Sequence, residues 1–141
     1  MTKFGAGRCP DGAILIARIL LMLLFLIFGW QKLTGFSGTI GYMAHVGAPA
    51  PALAAVIAVG MELFVGIALV LGVATRPLAI LMLVYTFGTA LIGHHYWAMT
   101  GMERFEAMIG FYKNLSIMGG LLLLYVTGAG KFSIDRLLGW E

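Results

Sequence analysis

The chain has 141 residues, of which 61% are apolar and 11% are charged, and its mean hydropathy is +0.99. A soluble domain is about 45–50% apolar and about 25% charged, so this composition excludes an ordinary water-soluble fold. The formal net charge of +3 is small, which argues against nucleic acid as a partner and fits contact with lipid headgroups. The composition therefore predicts a membrane protein.

Four apolar stretches are long enough to cross a bilayer, which takes about 20 mostly apolar residues in a helix. They lie at residues 13–33, 51–73, 77–97 and 108–127. The segments between them are too short for a soluble domain, so we predict one all-α domain over residues 1–141, a four-transmembrane-helix bundle. The first stretch is about twice as long as a signal peptide's apolar region and lacks a small-residue cleavage site, so we interpret it as a retained anchor.

Lysine and arginine side chains flank the two ends of the predicted spans unequally. Five lie at the end that holds both termini and two at the opposite end, namely Lys3, Arg8, Arg76, Lys131 and Arg136 against Lys32 and Arg104. Because basic residues are enriched on the cytoplasmic side of membrane proteins, this bias predicts that the N and C termini are both cytoplasmic.

Three ionisable residues fall within the predicted spans: Arg18, Glu62 and Lys113. Each costs about 2.5–3.5 kcal/mol at the centre of a bilayer, so each needs a partner or a function. With a rise of about 1.5 Å per residue, Arg18 and Glu62 are predicted at levels that an arginine side chain can bridge. We therefore expect a buried Arg18–Glu62 ion pair. The alternative is that Arg18 extends to the nearer headgroups.

Such a pair leaves the two lysines Lys32 and Lys113 without a carboxylate in the outer half of the bundle, near His94. The lysines either extend to the headgroups, or lose their charge through burial, or surround an electronegative ligand. We adopt the third interpretation as a hypothesis. It predicts a ligand site made of Lys32, His94, Lys113 and Asn114.

The sequence offers little for other cofactors. The neighbours His94 and His95 point about 100° apart on a helix, which is poor geometry for one metal ion, and only His45 remains as a third ligand. We therefore expect no metal or haem site. Cys9 is the single cysteine, which excludes a dithiol–disulfide relay within the chain, and no glycine-rich nucleotide-binding motif is present.

Several short motifs follow one another in the order of a known family. In the first half these are Gly29-Trp30-Gln31-Lys32-Leu33, Gly41-Tyr42-Met43, Gly47-Ala48-Pro49, Glu62 with Gly66 and Gly72, and Arg76. In the second half they are His94-His95-Tyr96-Trp97, Phe111-Tyr112-Lys113-Asn114-Leu115, Gly119-Gly120-Leu121-Leu122 and Gly130-Lys131-Phe132-Ser133-Ile134-Asp135. The ordered set resembles the DoxX family over nearly the whole chain.

This resemblance implies a four-helix, multi-pass protein of the bacterial cytoplasmic (inner) membrane, linked to respiratory quinone chemistry. Related subunits belong to terminal quinol oxidases and to thiosulfate:quinone oxidoreductase, and other members are tied to oxidative or thiol stress and quinone detoxification. The family positions carried over are Arg18, Lys32, Glu62, His94, Lys113 and Asn114. His95 has no clear family counterpart.

Three functions are compatible with these residues. The leading hypothesis is a redox-associated protein that binds a quinone or quinol, either as an accessory subunit of an oxidoreductase or in quinone and thiol stress defence. Whether the chain is itself an enzyme stays open, and electrons would come from a redox partner. The alternatives are a transporter or binding protein for a small molecule or anion, and a scaffold whose buried charges fix helix register. We expect membrane lipid to surround the protein, and whether it forms a homo-oligomer stays open.

Overall fold

The computed structural model describes residues 10–140, which contain helices, turns and no strand. The helices are α1 (Pro10–Thr34), α2 (Phe36–His45), α3 (Pro51–Val59), α4 (Gly66–Leu71), α5 (Thr75–Gly93), α6 (Gly101–Thr127) and α7 (Ile134–Leu138). A π-helical segment, Gly60–Val65, joins α3 to α4 without a break, and a short 3₁₀ turn, Tyr96–Ala98, follows α5.

Four helical stretches are long and apolar enough to span a membrane. They are Asp11–Thr34, Pro51–Leu71, Thr75–Ala98 and Gly101–Thr127. The predicted all-α fold with four spans is therefore confirmed. α1 packs along α3, the π segment and α4, while α5 packs along α6, and the two pairs meet to form the bundle.

The side chains are sorted as expected for a bundle in lipid. Met22, Leu69, Met82 and Leu121 are fully buried where the helices meet. Large apolar side chains cover the outside, among them Leu20, Phe64, Val84 and Leu123. Because lipid is as apolar as the core, such exposure costs nothing in a bilayer, although it would cause aggregation in water.

Two details differ from the sequence prediction. α6 begins at Gly101 and not near residue 108, because the charged residues of its first turns are good helix formers although they are too polar for an apolar span. Residues 36–45, which were predicted as part of a loop, form α2, which packs against α3. The longer α6 places Lys113 at the thirteenth of its 27 residues, the middle of the helix.

The bundle has two distinct ends. The α2 end carries α2, residues 94–100 and the start of α6. The α7 end carries the starts of α1 and α5, the end of α6, and α7. That the α7 end faces the cytoplasm stays a prediction, and Lys3, Arg8 and Cys9 lie outside the described residues.

At the α7 end, Asp135 joins the C-terminal segment to the start of α5. Its carboxylate accepts hydrogen bonds from the backbone N–H groups of Ala74 and Thr75 at 2.6 and 2.9 Å. Its own N–H donates to the carbonyl of Gly72 at 2.8 Å. Because the first N–H groups of a helix have no helical acceptor, this carboxylate performs the role of an N-cap from a distant part of the chain.

Gly29 brings the backbones of α1 and the π segment into direct contact. A Cβ atom at position 29 would lie 2.9 Å from the backbone nitrogen of Leu63 and 3.0 Å from the Cβ of Glu62. Neither atom is the end of a flexible side chain, so the helices would have to separate. Small residues permit such close packing of membrane helices.

We predict that Gly29→Ala lowers the midpoint of thermal unfolding in detergent, with a loss of about 1–3 kcal/mol from overpacking. Gly88→Ala is the matched control, since a Cβ at Gly88 meets nothing within 4 Å, and alanine favours a helix over glycine. Equal stability of the Gly29→Ala and wild-type proteins would contradict the close approach.

We predict that Asp135→Ala destabilises the bundle by about 0.5–2 kcal/mol, the usual cost of losing an N-cap acceptor. Asp135→Asn keeps one acceptor oxygen, so its thermal midpoint is expected between those of Asp135→Ala and wild type. An alanine variant as stable as wild type would show that this carboxylate does not hold the start of α5.

Candidate functional site

The carboxylate of Glu62 lies in the interior of the bundle, in the π segment. Glu62 is 7% exposed. Its Oε2 accepts a hydrogen bond from Nζ of Lys32 at 2.7 Å, and its Oε1 accepts one from the hydroxyl of Tyr85 at 2.9 Å. These bonds connect α1, the π segment and α5 through one side chain. π-helical turns inside α-helices often occur at functional sites.

The predicted Arg18–Glu62 ion pair is wrong, because the structure gives each residue different partners. Arg18 is 1% exposed, and its guanidinium donates to the carbonyl oxygens of Ala129, at 2.7 Å, and Phe132. The Nη1 atom of Arg18 lies beside Gly72, where a Cβ atom would be 2.6 Å from it. Gly72 follows Glu62 by ten residues, which is about 15 Å along a helix axis, so Arg18 is far from Glu62.

The physical reason lies in the end of α6. The turn that follows α6 has no regular backbone pairing, and its carbonyl groups at Ala129 and Phe132 accept hydrogen bonds from the buried guanidinium. Arg18 therefore fastens the C-terminal segment to α1. The carboxylate of Glu62 pairs instead with Lys32, which the sequence predicts as part of a ligand site.

The second group of charges lies toward the α2 end. The imidazole of His94 packs on α6 so closely that a Cβ on Gly110 would lie 2.6 Å from its Nδ1. Gly110 lies one turn before Lys113 on α6, so His94 and Lys113 occupy the same part of that helix. Lys32, also predicted as a ligand residue, is bonded to Glu62.

Asn114, the fourth predicted ligand residue, is used inside the protein. Its side chain is buried, and its amide nitrogen donates to the carbonyl of Thr86 at 3.2 Å and to Oγ1 of Thr89 at 2.9 Å. Both amide hydrogens are therefore committed to the interface of α5 and α6. This geometry makes Asn114 a link between helices.

Lys113 is exposed on the surface of α6, whereas Arg18 and Glu62 are buried. It lines a groove of about 440 Å³. The other lining residues are Phe105, Met108, Ile109, Tyr112 and Ser116. Within residues 10–140, no side chain or carbonyl forms a hydrogen bond or ion pair with its ammonium group.

Aromatic rings surround the start of this groove at the α2 end. Tyr96, Trp97, Phe111 and Tyr112 contact one another with centroid distances of 5.4–6.1 Å. The hydroxyl oxygens of Tyr96 and Tyr112 are 3.4 Å apart. Such belts are typical of the interface between lipid and water.

The remaining histidines are peripheral. Nδ1 of His95 lies 2.7 Å from the carbonyl oxygen of Ile92, and Nε2 of His45 lies 3.7 Å from a carboxylate oxygen of Glu103. In the described part of the chain, no three histidine, cysteine or acidic side chains are grouped so as to hold a metal ion.

Two residues of the structure were not singled out by the sequence analysis. Tyr85 contributes the second hydrogen bond to Glu62, and Asp135 holds the start of α5. A tyrosine hydroxyl in the middle of an apolar span needs a partner, which is the signal that would have identified Tyr85. Asp135 is part of the motif shared with the DoxX family, but that motif alone does not reveal its acceptor role.

These features define a four-span α-helical membrane protein with a buried Lys–Glu–Tyr cluster and a free-standing cation on one helix. The sequence pattern of the DoxX family matches residues 13–95. The chain belongs to the DoxX family.

Full-length relatives support this assignment and the location. The chain is 56% identical over 133 residues to Inner membrane protein YphA of Escherichia coli K12, covering 94% of each chain. It is 42% identical over 131 residues to Inner membrane protein YqjF of the same organism, covering 93% of this chain and 95% of the relative. The protein is therefore a multi-pass protein of the inner membrane.

A more distant similarity covers less of the chain. Over 57 residues the chain is 42% identical to the ER-derived vesicles protein ERV29 of Saccharomyces cerevisiae, which is 40% of this chain and 18% of that protein. No solved structure matches the chain.

We predict that Lys32→Met destabilises the protein by about 3–5 kcal/mol, because it leaves the carboxylate of Glu62 buried without a cation. Lys32→Met combined with Glu62→Gln is expected to regain much of that loss, since no lone charge remains and the amide keeps a hydrogen bond with Tyr85. Thermal unfolding of both single variants and the double variant measures this coupling. Strictly additive effects would show that the two side chains do not form a pair.

Proposed function

We propose that this inner-membrane DoxX protein binds a quinone or quinol, or a similar oxygen-bearing amphiphile, in the groove on α6, and serves redox chemistry in the membrane. The observation that supports the proposal is Lys113. It is the thirteenth of 27 residues in a membrane-spanning helix, it is exposed, and its ammonium group has no hydrogen-bonding partner among residues 10–140.

The energy of such a cation favours a ligand. A lysine within a membrane helix costs up to about 2.5–3.5 kcal/mol on insertion scales, the value at the helix centre. Lys113 lies seven residues beyond Glu106, the last charged residue in the first turns of α6, which is about 10 Å along the helix axis. The carboxylate of Glu62 already bonds Lys32 and Tyr85. An electronegative group from outside the chain would compensate this charge without requiring the side chain to extend to the headgroups.

The lining of the groove indicates the kind of molecule. Phe105, Met108, Ile109 and Tyr112 offer flat, apolar contacts, while Lys113 and Ser116 offer hydrogen-bond donors. Small-molecule sites likewise combine apolar and aromatic contacts with a few polar groups. A ring that carries carbonyl oxygens and an apolar tail satisfies both kinds of contact, and it can reach the groove from the bilayer.

The neighbouring charges would assist the reaction. A bound quinone takes up or releases two electrons and two protons. Lys113 would hold the ring oxygen on which negative charge develops, because a nearby cation stabilises an anion at low dielectric. His94 packs against Gly110, one turn before Lys113, and an imidazole is a group that can exchange a proton.

Electrons must reach this site from elsewhere. The chain has one cysteine, so it contains no dithiol pair of its own. A redox partner protein or a soluble donor would supply them, which makes an accessory role in an oxidoreductase or in quinone stress defence the best fit. A carrier for small anions is the second candidate, but the groove lies on one lipid-facing helix, which favours binding over passage through the bundle.

We predict that Lys113→Met weakens quinone binding at least about tenfold, the equivalent of one lost charge-assisted hydrogen bond of about 1.5–3 kcal/mol. Binding is measured by titrating a short-chain ubiquinone and a short-chain menaquinone into purified protein in nanodiscs. Arg104→Gln is the control, since it removes an exposed cation from the same helix outside the groove.

Mass spectrometry of lipids extracted from gently purified wild-type protein gives an independent readout. Quinone enriched over the bulk membrane supports the proposal, as does its loss in Lys113→Met at unchanged helix content. Equal affinity of wild type and Lys113→Met contradicts it. Uptake of an anion by reconstituted vesicles without quinone binding would favour the carrier.

A further inference from the structure

The α7 end carries a surface that the proposed quinone site does not use. In the described part of the chain, three cations are exposed there: Arg76 at the start of α5, and Lys131 and Arg136 beside and within α7. Large apolar side chains lie on the same segment and are more than half exposed, with Leu137 at 84% and Trp140 at 63%. A surface that is both basic and apolar fits the headgroup region of a bilayer.

The acidic groups at this end do not neutralise those cations. The carboxylate of Asp135 is taken up by the backbone N–H groups of Ala74 and Thr75. Asp11 accepts a hydrogen bond from the backbone N–H of Lys131 at 2.8 Å. Arg76 donates through Nε to the carbonyl of Tyr125 at 3.1 Å, and the described residues form no ion pair with its guanidinium.

A cavity of about 190 Å³ opens at the centre of this surface. Thr75, Arg76, Gly128 and the buried Asp135 line it, and Trp140 forms part of its wall. Both carboxylate oxygens of Asp135 are occupied by the backbone N–H groups at the start of α5. Thr75 is 2% exposed, and its buried hydroxyl has no hydrogen-bond partner among residues 10–140. A cavity lined by a guanidinium and by a residue whose hydroxyl is unpartnered suits a ligand with oxygen acceptors.

We propose that this cavity binds the phosphate of an anionic phospholipid, while Phe132, Leu137, Leu138 and Trp140 lie among the acyl chains and glycerol groups around it. Arg76 is the primary contact of the phosphate, and Lys131 and Arg136 attract the anionic headgroup. A backbone hydrogen bond fixes the position of Trp140, because its main-chain N–H donates to the carbonyl of Asp135 at 2.9 Å. This bond keeps the indole beside the cavity.

The membrane itself is favoured over a protein partner by geometry and charge. The segment that carries Trp140 is fastened to the ends of membrane-spanning helices by Asp135 and by Arg18. Its apolar side chains therefore sit where the spans end and headgroups begin. Among residues 10–140, the exposed charges on the segment and beside the cavity are all positive, which matches an anionic leaflet.

The test uses the natural tryptophans. The chain has three, at positions 30, 97 and 140, so Trp30→Phe with Trp97→Phe leaves Trp140 as the only indole. This protein is placed in phosphatidylcholine nanodiscs that contain equal mole fractions of brominated phosphatidylglycerol or brominated phosphatidylcholine. We expect the anionic lipid to quench Trp140 at least about twofold more strongly, with emission shifted to shorter wavelength than in water.

In the same background, Arg76→Gln and Arg136→Gln are expected to abolish this preference, since one basic residue near an anionic surface changes binding about fivefold. Arg104→Gln, at the α2 end, should retain it. Excess glycerol phosphate in solution should not restore water-like emission if the ligand is a membrane lipid, and competition by it would indicate a site for free phosphate. Quenching that is equal for both lipids, or emission typical of water, overturns the proposal.

Discussion

The ion pair between Lys32 and Glu62 determines how the other charges in this bundle are used. It places a carboxylate oxygen and an ammonium nitrogen 2.7 Å apart in the interior, and the hydroxyl of Tyr85 donates a second hydrogen bond to the carboxylate. A carboxylate left alone at this depth would be among the most unfavourable groups in the protein. Gly29 makes the pair possible, because only a residue without a Cβ lets α1 approach the π segment so closely.

Once Glu62 belongs to Lys32, the other two cations within the spans have separate roles. Arg18 uses the carbonyl groups beyond the end of α6, which fastens the C-terminal segment and makes the α7 end a defined surface. No acidic side chain among residues 10–140 forms an ion pair with Lys113, which lies on the outer face of α6. The same distribution of charge thus supports a ligand groove in the membrane and a lipid-binding surface at its edge.

The spans and the all-α fold could be predicted from the sequence, because hydropathy and length determine which segments enter a bilayer. Of the four predicted ligand residues, Lys113 alone lines the groove on α6, while Lys32 bonds Glu62 and Asn114 bonds residues of α5. The partners of these side chains could not be predicted. The sequence indicated Glu62 or the lipid headgroups as the partner of Arg18, whereas the backbone carbonyl groups beyond α6 are acceptors that residue types do not reveal.

The position of Lys113 along α6 shows a second limit of sequence reasoning. Hydropathy placed the start of the last span near residue 108, but helix propensity extends α6 back to Gly101, and this moves Lys113 from near one end to the middle of its helix. The hydrogen bonds of Asn114 could not be predicted either, because its acceptors on α5 depend on the relative rotation of two helices.

The pairing of Glu62 can be measured directly in lipid by solid-state NMR. Protein that carries ¹⁵N at the lysine Nζ atoms and ¹³C at the glutamate carboxyl carbons is expected to show one strong dipolar coupling between an ammonium and a carboxylate. That coupling should vanish in Lys32→Met and persist in Lys113→Met. Its loss in Lys113→Met, or its persistence in Lys32→Met, would contradict the distribution of charge described above.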